Sequence, residues 1–341
     1  MDNIIALFDQ AKNKNATELL ISSSGKIKTK FGQNWSSEED KSINHFEMQN
    51  LAESLLSTAA LDHLKKDSFC KVETLFQGSR VEVEFSLVRN GLLAAFSWIK
   101  NDPMTLNQWN LSPIISEIVI RQGLNIILGP IKSGKTSLLS TLLQNLKNKN
   151  IVLFANHSVF TDLEIQSDII QLKQDQLQIH QIPSWADAVV VDKPYFDDYN
   201  SLLKIAESGR TVFVTQNQNS CLRFLQSLSV SKANSDYDLL PRISEVLQLM
   251  IATKLVHGLD DQTKSALEIL VNSSDMKKNI ADSNIEKIHQ TMAVVSDPQV
   301  MRTMNQSLLG LLVRRQIDMK TAFSNSPSAE EFDSLLKKIG I

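Results

Sequence analysis

The densest chemistry in the chain lies at Gly129-Pro130-Ile131-Lys132-Ser133-Gly134-Lys135-Thr136, followed by Ser137. This stretch fits the pattern G-x-x-x-x-G-K-[ST]. Glycines let a backbone curl until successive N–H groups point inward at phosphate oxygens. A helix that opens at such a loop adds the positive end of its dipole. Lys135 is placed to reach the outer phosphates of a nucleotide as a point charge, and the Thr136 hydroxyl can ligate Mg²⁺. The spacing arises by chance in roughly one chain of this length per hundred. Its setting argues against chance, because the apolar run Leu124–Leu128 precedes it and an apolar-periodic helix over Thr136–Lys147 follows. Lys132 stands where such loops often carry glycine; it either adds a second cation beside the phosphates or points to solvent. Glycine is otherwise scarce. There are 11 in 341 residues, about half the usual share, and Gly123, Gly129 and Gly134 are three of them.

Holding a phosphate is not hydrolysing it. Hydrolysis needs an acid that supports Mg²⁺ and a group that orients or activates water. The run Ala188-Val189-Val190-Val191 closes on Asp192, in the manner of a Walker B strand whose last acid supports the metal. The next residues are Lys193 and Pro194, and a lysine cannot serve as a carboxylate base. The nearest further acids, Asp197 and Asp198, come several residues later.

These residues need elements to position them. Ile4, Ile5, Leu7, Phe8 and Ala11 predict an amphipathic helix, and Leu19–Ile21 a short strand. Residues 47–66 read as one helix. Val81, Val83, Phe85 and Leu87 alternate with Arg80, Glu82, Glu84 and Ser86, the mark of a half-buried strand. Leu92–Ile99 is its expected antiparallel partner across the Arg89-Asn90-Gly91 turn. Together these predict a small α+β domain over 1–100. Asn101-Asp102-Pro103 opens an expected linker, 101–122. Over 123–341, the apolar runs Gly123–Leu128, Ile151–Phe154, Ala188–Val191 and Thr211–Val214 alternate with helical stretches and predict a parallel α/β sheet. From about 240 onward the pattern reads as mostly helical.

Composition excludes several function classes. The 35 Lys+Arg against 38 Asp+Glu leave no basic footprint for nucleic acid. No apolar run approaches the ~20 residues that span a bilayer, and the start, MDNIIALFDQ, lacks the basic segment of a signal peptide. Cys70 and Cys221 read as free thiols, and the six histidines show no metal-ligand spacing. A glutamine-rich patch (Gln166, Gln171, Gln174, Gln176, Gln178, Gln181) reads as solvated surface.

In this setting the second domain resembles the pilus retraction ATPases, a branch of the type II/type IV secretion ATPase superfamily. That family carries an acidic box, usually Glu-Asp-Pro, after its second strand; Ile151-Val-Leu-Phe-Ala-Asn-His157 puts Ala155 and Asn156 at the acids. The family's Walker B strand ends in Gly-Glu, where Asp192-Lys193 stands here. Its His box, Thr-Leu-His-Thr, is matched in frame by Glu207-Ser-Gly-Arg-Thr-Val-Phe-Val-Thr-Gln-Asn-Gln218, with Asn217 at the histidine. Scaffold segments are closer. Ala16-Thr-Glu-Leu-Leu-Ile-Ser22 is similar to Ala-Ser-Asp-Leu-His-Leu-Ser. Met301-Arg-Thr-Met-Asn-Gln-Ser-Leu308 is similar to Met-Gln-Thr-Met-Asp-Gln-Ser-Leu, and Ala329-Glu-Glu-Phe332 to the closing Pro-Glu-Glu-Phe. The family's Ala-Ile-Arg motif falls on Met276-Lys277-Lys278. Arginines that approach the neighbouring subunit's nucleotide fall near Arg80, Glu82 and Ser97, so that only Arg80 is kept.

The resemblance implies an α/β protein with a small PAS-like α+β domain before a RecA-like phosphate-loop domain and a helical C-terminal part. It implies ATP on residues 129–137, Mg²⁺ at Thr136 and Asp192, and an inter-subunit role for Arg80. It implies a ring, a homo- or hetero-hexamer shared with an active paralogue, and pilus platform proteins at the inner membrane face as partners. The expected location is cytoplasmic, with attachment to that membrane through those partners. No catalytic group is expected to be intact, since Ala155, Asn156, Lys193 and Asn217 hold the chemical positions. Three readings stand: an ATP-binding, hydrolysis-impaired regulatory or structural partner; a slow motor relying on Asp192 with a base such as Asp197 or Asp198; and an interaction module independent of nucleotide.

Overall fold

The computed structural model describes residues 2–14, 16–23, 27–31, 34–38, 43–89, 91–99, 104–154, 168–172, 182–231, 238–260, 262–295 and 297–340. Ala155, Asn156, Asn101-Asp102-Pro103 and all of the glutamine patch except Gln171 lie outside these. The chain divides into two compact units. One holds residues 1–101 together with 260–263, and the other holds 102–259 and 264–341.

The first unit runs α1 (Asp2–Asn13), β1 (Glu18–Ser22), β2 (Ile27–Phe31), β3 (Asn34–Glu38), α2 (His45–Leu55), α3 (Thr58–Asp67), β4 (Phe69–Phe76), β5 (Ser79–Val88) and β6 (Gly91–Trp98). Its sheet has the order β3-β2-β1-β6-β5-β4, antiparallel throughout. The alternation read in Arg80–Leu87 is realised in β5: Val81, Val83 and Phe85 are fully buried, and β5 pairs with β6 across a tight turn that sets Val88 opposite Gly91. The stretch expected as one helix over 47–66 is two. Leu56 is extended, and the Ser57 side chain accepts from the Ala60 N–H to start α3 afresh. In the core, the Phe8 ring of α1 meets Phe76 edge-on at 4.9 Å and Phe96 at 5.6 Å.

The second unit runs α4 (Ile114–Val119), β7 (Gly123–Leu128), α5 (Lys135–Leu143), β8 (Asn150–Phe154), β9 (Asp168–Leu172), β10 (Ala188–Asp192), α6 (Tyr199–Glu207), β11 (Thr211–Gln216), α7 (Cys221–Ser231), α8 (Leu239–Val246), β12 (Leu247–His257), β13 (Thr263–Val271), α9 (Ser274–Ala281), α10 (Ile285–Ala293), α11 (Met304–Val313), α12 (Met319–Asn325) and α13 (Ala329–Lys338). Its sheet order is β13-β12-β7-β11-β10-β8-β9, and every pair from β12 to β9 is parallel. Such a sheet is covered on both faces, and β7 shows it. Leu124, Ile126 and Leu128 join a core with α6 and α7, while Ile127 joins the opposite core with Leu138, Leu139 and Leu142 of α5.

Two expectations are corrected here. Residues 104–122 do not behave as a linker: Trp109, Leu111, Ile115, Ile118 and Val119 are buried in the same core as α5. Nor is the chain mostly helical directly after 240, because β12 and β13 intervene between α8 and α9. No helix among the described residues is long and apolar enough to cross a membrane.

Candidate phosphate-binding site

The loop 129–134 leaves β7 at the carboxyl edge of the parallel sheet, where ligands of such sheets bind. Gly129 (φ 154°) has no room for a side chain: a Cβ there would lie 2.6 Å from the Thr253 carbonyl oxygen and 2.3 Å from Ser133 Oγ. Gly134 (φ 89°) opens α5 in the left-handed region. Lys132 also takes a left-handed backbone (φ 60°), so the conformation that suits glycine is kept although the residue is not glycine. Thr253 of β12 donates its hydroxyl to the Ser133 carbonyl at 2.9 Å and pins the loop from below.

Lys135 is buried, and its Nζ donates to the carbonyls of Gly129 at 2.8 Å and Pro130 at 2.7 Å. Burial, then the nearby Lys193 charge, lowers its proton affinity to about 8, with Asp192 acting in the opposite direction. The Ser133 hydroxyl is buried without a hydrogen-bond partner. A cradle closed by glycine, a buried ammonium and an unanswered hydroxyl fit a phosphate group.

Asp192 ends β10 directly opposite Thr215 of β11. One carboxylate oxygen accepts the Thr215 hydroxyl, and the other faces Lys193 Nζ at 3.5 Å. Lys193 holds a left-handed backbone (φ 54°), and its N–H donates to the Thr215 carbonyl at 3.1 Å. Lys193 is therefore anchored by its backbone to β11 and set beside the Asp192 carboxylate. Mg²⁺ fits this set poorly. Thr136 is neutral, both Asp192 oxygens are engaged, and two ammonium groups lie close by, whereas Mg²⁺ is held through free carboxylate charge and substrate phosphates.

The remaining expected positions each have a setting of their own. Asn217 is exposed just past β11. Asp198 accepts the Tyr195 N–H at 2.8 Å within a short 3₁₀ turn, Phe196–Asp198, and Asp197 is exposed. Arg80 lies in the first unit, 3.4 Å from Glu73 of the neighbouring strand.

Sequence reasoning missed the supports. Trp109 packs under Gly134 and donates Nε1–H to Thr141 of α5 at 2.9 Å. A cavity of about 340 Å³ adjoins the loop at Pro130 and is lined by Ser220, Lys254, Glu268, His289 and Glu331. Glu268 there accepts from the Cys221 N–H at 3.1 Å and Ser220 Oγ at 3.3 Å, yet burial raises its carboxyl to about 7. These groups come from distant segments and carry no local signature.

No family model and no curated protein sequence matches this chain. Solved structures do. The pilus retraction motor PilT with bound ADP superposes with a TM-score of 0.80 at 18% identity, over 97% of this chain and 99% of that one. The ATPase DotB of Legionella pneumophila superposes at 0.75 with 17% identity, over 93% of each chain. DotB of Yersinia pseudotuberculosis also gives 0.75 at 17%, over 95% and 92%. The chain therefore has the fold of PilT and the DotB ATPases along nearly its whole length.

Proposed function

We propose that this protein binds ATP and hydrolyses it feebly or not at all, serving as a regulatory or structural counterpart of a pilus retraction motor. The observation that carries this reading is Lys193, anchored beside Asp192 and acting electrostatically on Lys135, in a site whose phosphate loop is otherwise built. An ammonium at the position of a catalytic carboxylate cannot accept a proton from water. Loss of such a group costs orders of magnitude in rate. The slow-motor reading is weakened because Asp192 is already paired and Asp198 is spent on a turn. In keeping with the fold, the protein acts in a ring, a homo- or hetero-hexamer with an active paralogue. It docks through that ring on pilus platform proteins at the cytoplasmic face of the inner membrane, with Arg80 directed to a neighbouring subunit.

Titration of the purified protein with ATP by calorimetry, paired with a phosphate-release assay, tests the reading. The expected result is saturable binding abolished by Lys135→Ala, with turnover at background. Turnover comparable to active motors and lost in Lys135→Ala would refute the impairment. Absence of binding would refute the nucleotide reading itself.

A further inference from the structure

The cavity of about 340 Å³ beside the loop holds chemistry that nucleotide binding does not use. Its lining belongs to the second unit alone, and it takes Pro130 from the phosphate loop but neither Lys135 nor Thr136. Its carboxylates are already engaged. Glu331 accepts from Asn305 Nδ2 at 2.9 Å and stands 3.3 Å from His289 Nε2. The two Glu268 oxygens accept from Ser220 Oγ and the Cys221 N–H, and burial, which raises its carboxyl to about 7, thins its negative charge. Its cations are not engaged to the same degree. Arg223, in the first turn of α7, is exposed and makes no ion pair or hydrogen bond with the described residues. Lys254 of β12 is half-buried, and its Nζ donates to the Asn325 carbonyl at 3.0 Å, which leaves two of its three N–H donors. The first turns of α7, α11 and α13 also border the space, so three positive dipole ends add to these two charges. Leu222, Met304 and Pro327 give the same cavity an apolar lining.

We infer that this cavity binds a small organic anion, its carboxylate or phosphate group held by Arg223 and Lys254 and its apolar body lying on Leu222 and Met304. A guanidinium takes either oxyanion through paired N–H donors, and an ammonium adds a point charge. The volume lies at the lower end of the range for ligand sites, which suits a molecule of one ring. The site does not depend on whether the loop holds ATP.

Calorimetric titration of the native chain with benzoate and with phenyl phosphate tests this. At least one should bind saturably with a Kd of about 1 mM or below, and the one that binds identifies the anionic group. Arg223→Gln, a change at an exposed position, should weaken that binding about tenfold. Lys135→Ala should leave it within about twofold, because the phosphate loop is not the site. In the Lys135→Ala chain, inorganic phosphate, which has no body for Leu222 and Met304, should bind more weakly than the better probe. Saturation by neither probe overturns the inference, as does unchanged affinity in Arg223→Gln. Loss of binding in a folded Lys135→Ala chain places the anion in the loop and overturns it too. Equal affinity for inorganic phosphate in that chain overturns the role given to the apolar lining, and with it an organic ligand.

Discussion

Lys132 pays for its place in the loop with a left-handed backbone (φ 60°), and its side chain is exposed. A non-glycine residue loses about 1–2 kcal/mol in that region, partly offset by the greater chain entropy that glycine loses on folding. Lys132→Gly should therefore stabilise the protein by up to about 1 kcal/mol in chemical denaturation; a loss of stability would show that the side chain makes a contact worth more than the strain. Glu268 makes a sharper case. Its carboxyl, raised to about 7 by burial, keeps its proton in the folded state over a range where the unfolded chain, near the ordinary value of 4.5, has released it. The folded protein then binds more protons than the unfolded one, and stability falls as pH rises from about 4.5 to about 7. The full penalty, on the order of 3 kcal/mol, applies above that window. Glu268→Gln keeps an acceptor for Ser220 and Cys221 and removes the charge. Its melting temperature should exceed that of the native chain near pH 8 and converge with it near pH 5. An equal difference at both values would sink the assignment.

At the scale of elements, the site depends on the segment before β7 as much as on the loop. Trp109 donates to Thr141 Oγ1, and that hydroxyl lies 2.7 Å from the Met104 carbonyl, so residues 104–109 are fastened to the middle of α5. Trp109→Phe, which keeps a ring but drops the donor, should cost about 1 kcal/mol. Trp109→Ala should cost about 3–5 kcal/mol through the void left under Gly134, and should weaken ATP affinity as well. An alanine variant with native stability would show that this ring does not support the helix. Such dependence was hidden in the sequence for a physical reason. Turn residues at 101–103 signal a break, but the burial of Trp109 and Ile115 is decided by α5 and β12, far along the chain. β12 was hidden differently: Leu247–Val256 is buried on both faces and shows no alternation, so an apolar run of that length reads as helix. The β5–β6 hairpin was legible because one face is wet, and the phosphate loop because its chemistry is contiguous. The Glu268 cavity was not, since β13, α10 and α13 meet only in the fold.

Across the whole molecule, the hydrophobic cores respect the division into two units. One cluster is drawn entirely from Ile4 to Phe96, and the others begin at Trp109. Each unit should then open on its own free energy, as separate cooperative blocks do. Phe8 is fully buried and holds Phe76 and Phe96 together, so Phe8→Ala should remove about 3–5 kcal/mol from the first unit. Hydrogen exchange followed by mass spectrometry reads the outcome segment by segment. Amides of β1, β5 and β6 should exchange faster in the variant by about two to three and a half orders of magnitude, the factor those energies imply, while β7, β10 and β11 keep native protection. Equal acceleration in both sets would mean that the units unfold as one, and that the phosphate loop draws its stability from the first unit despite the separate cores.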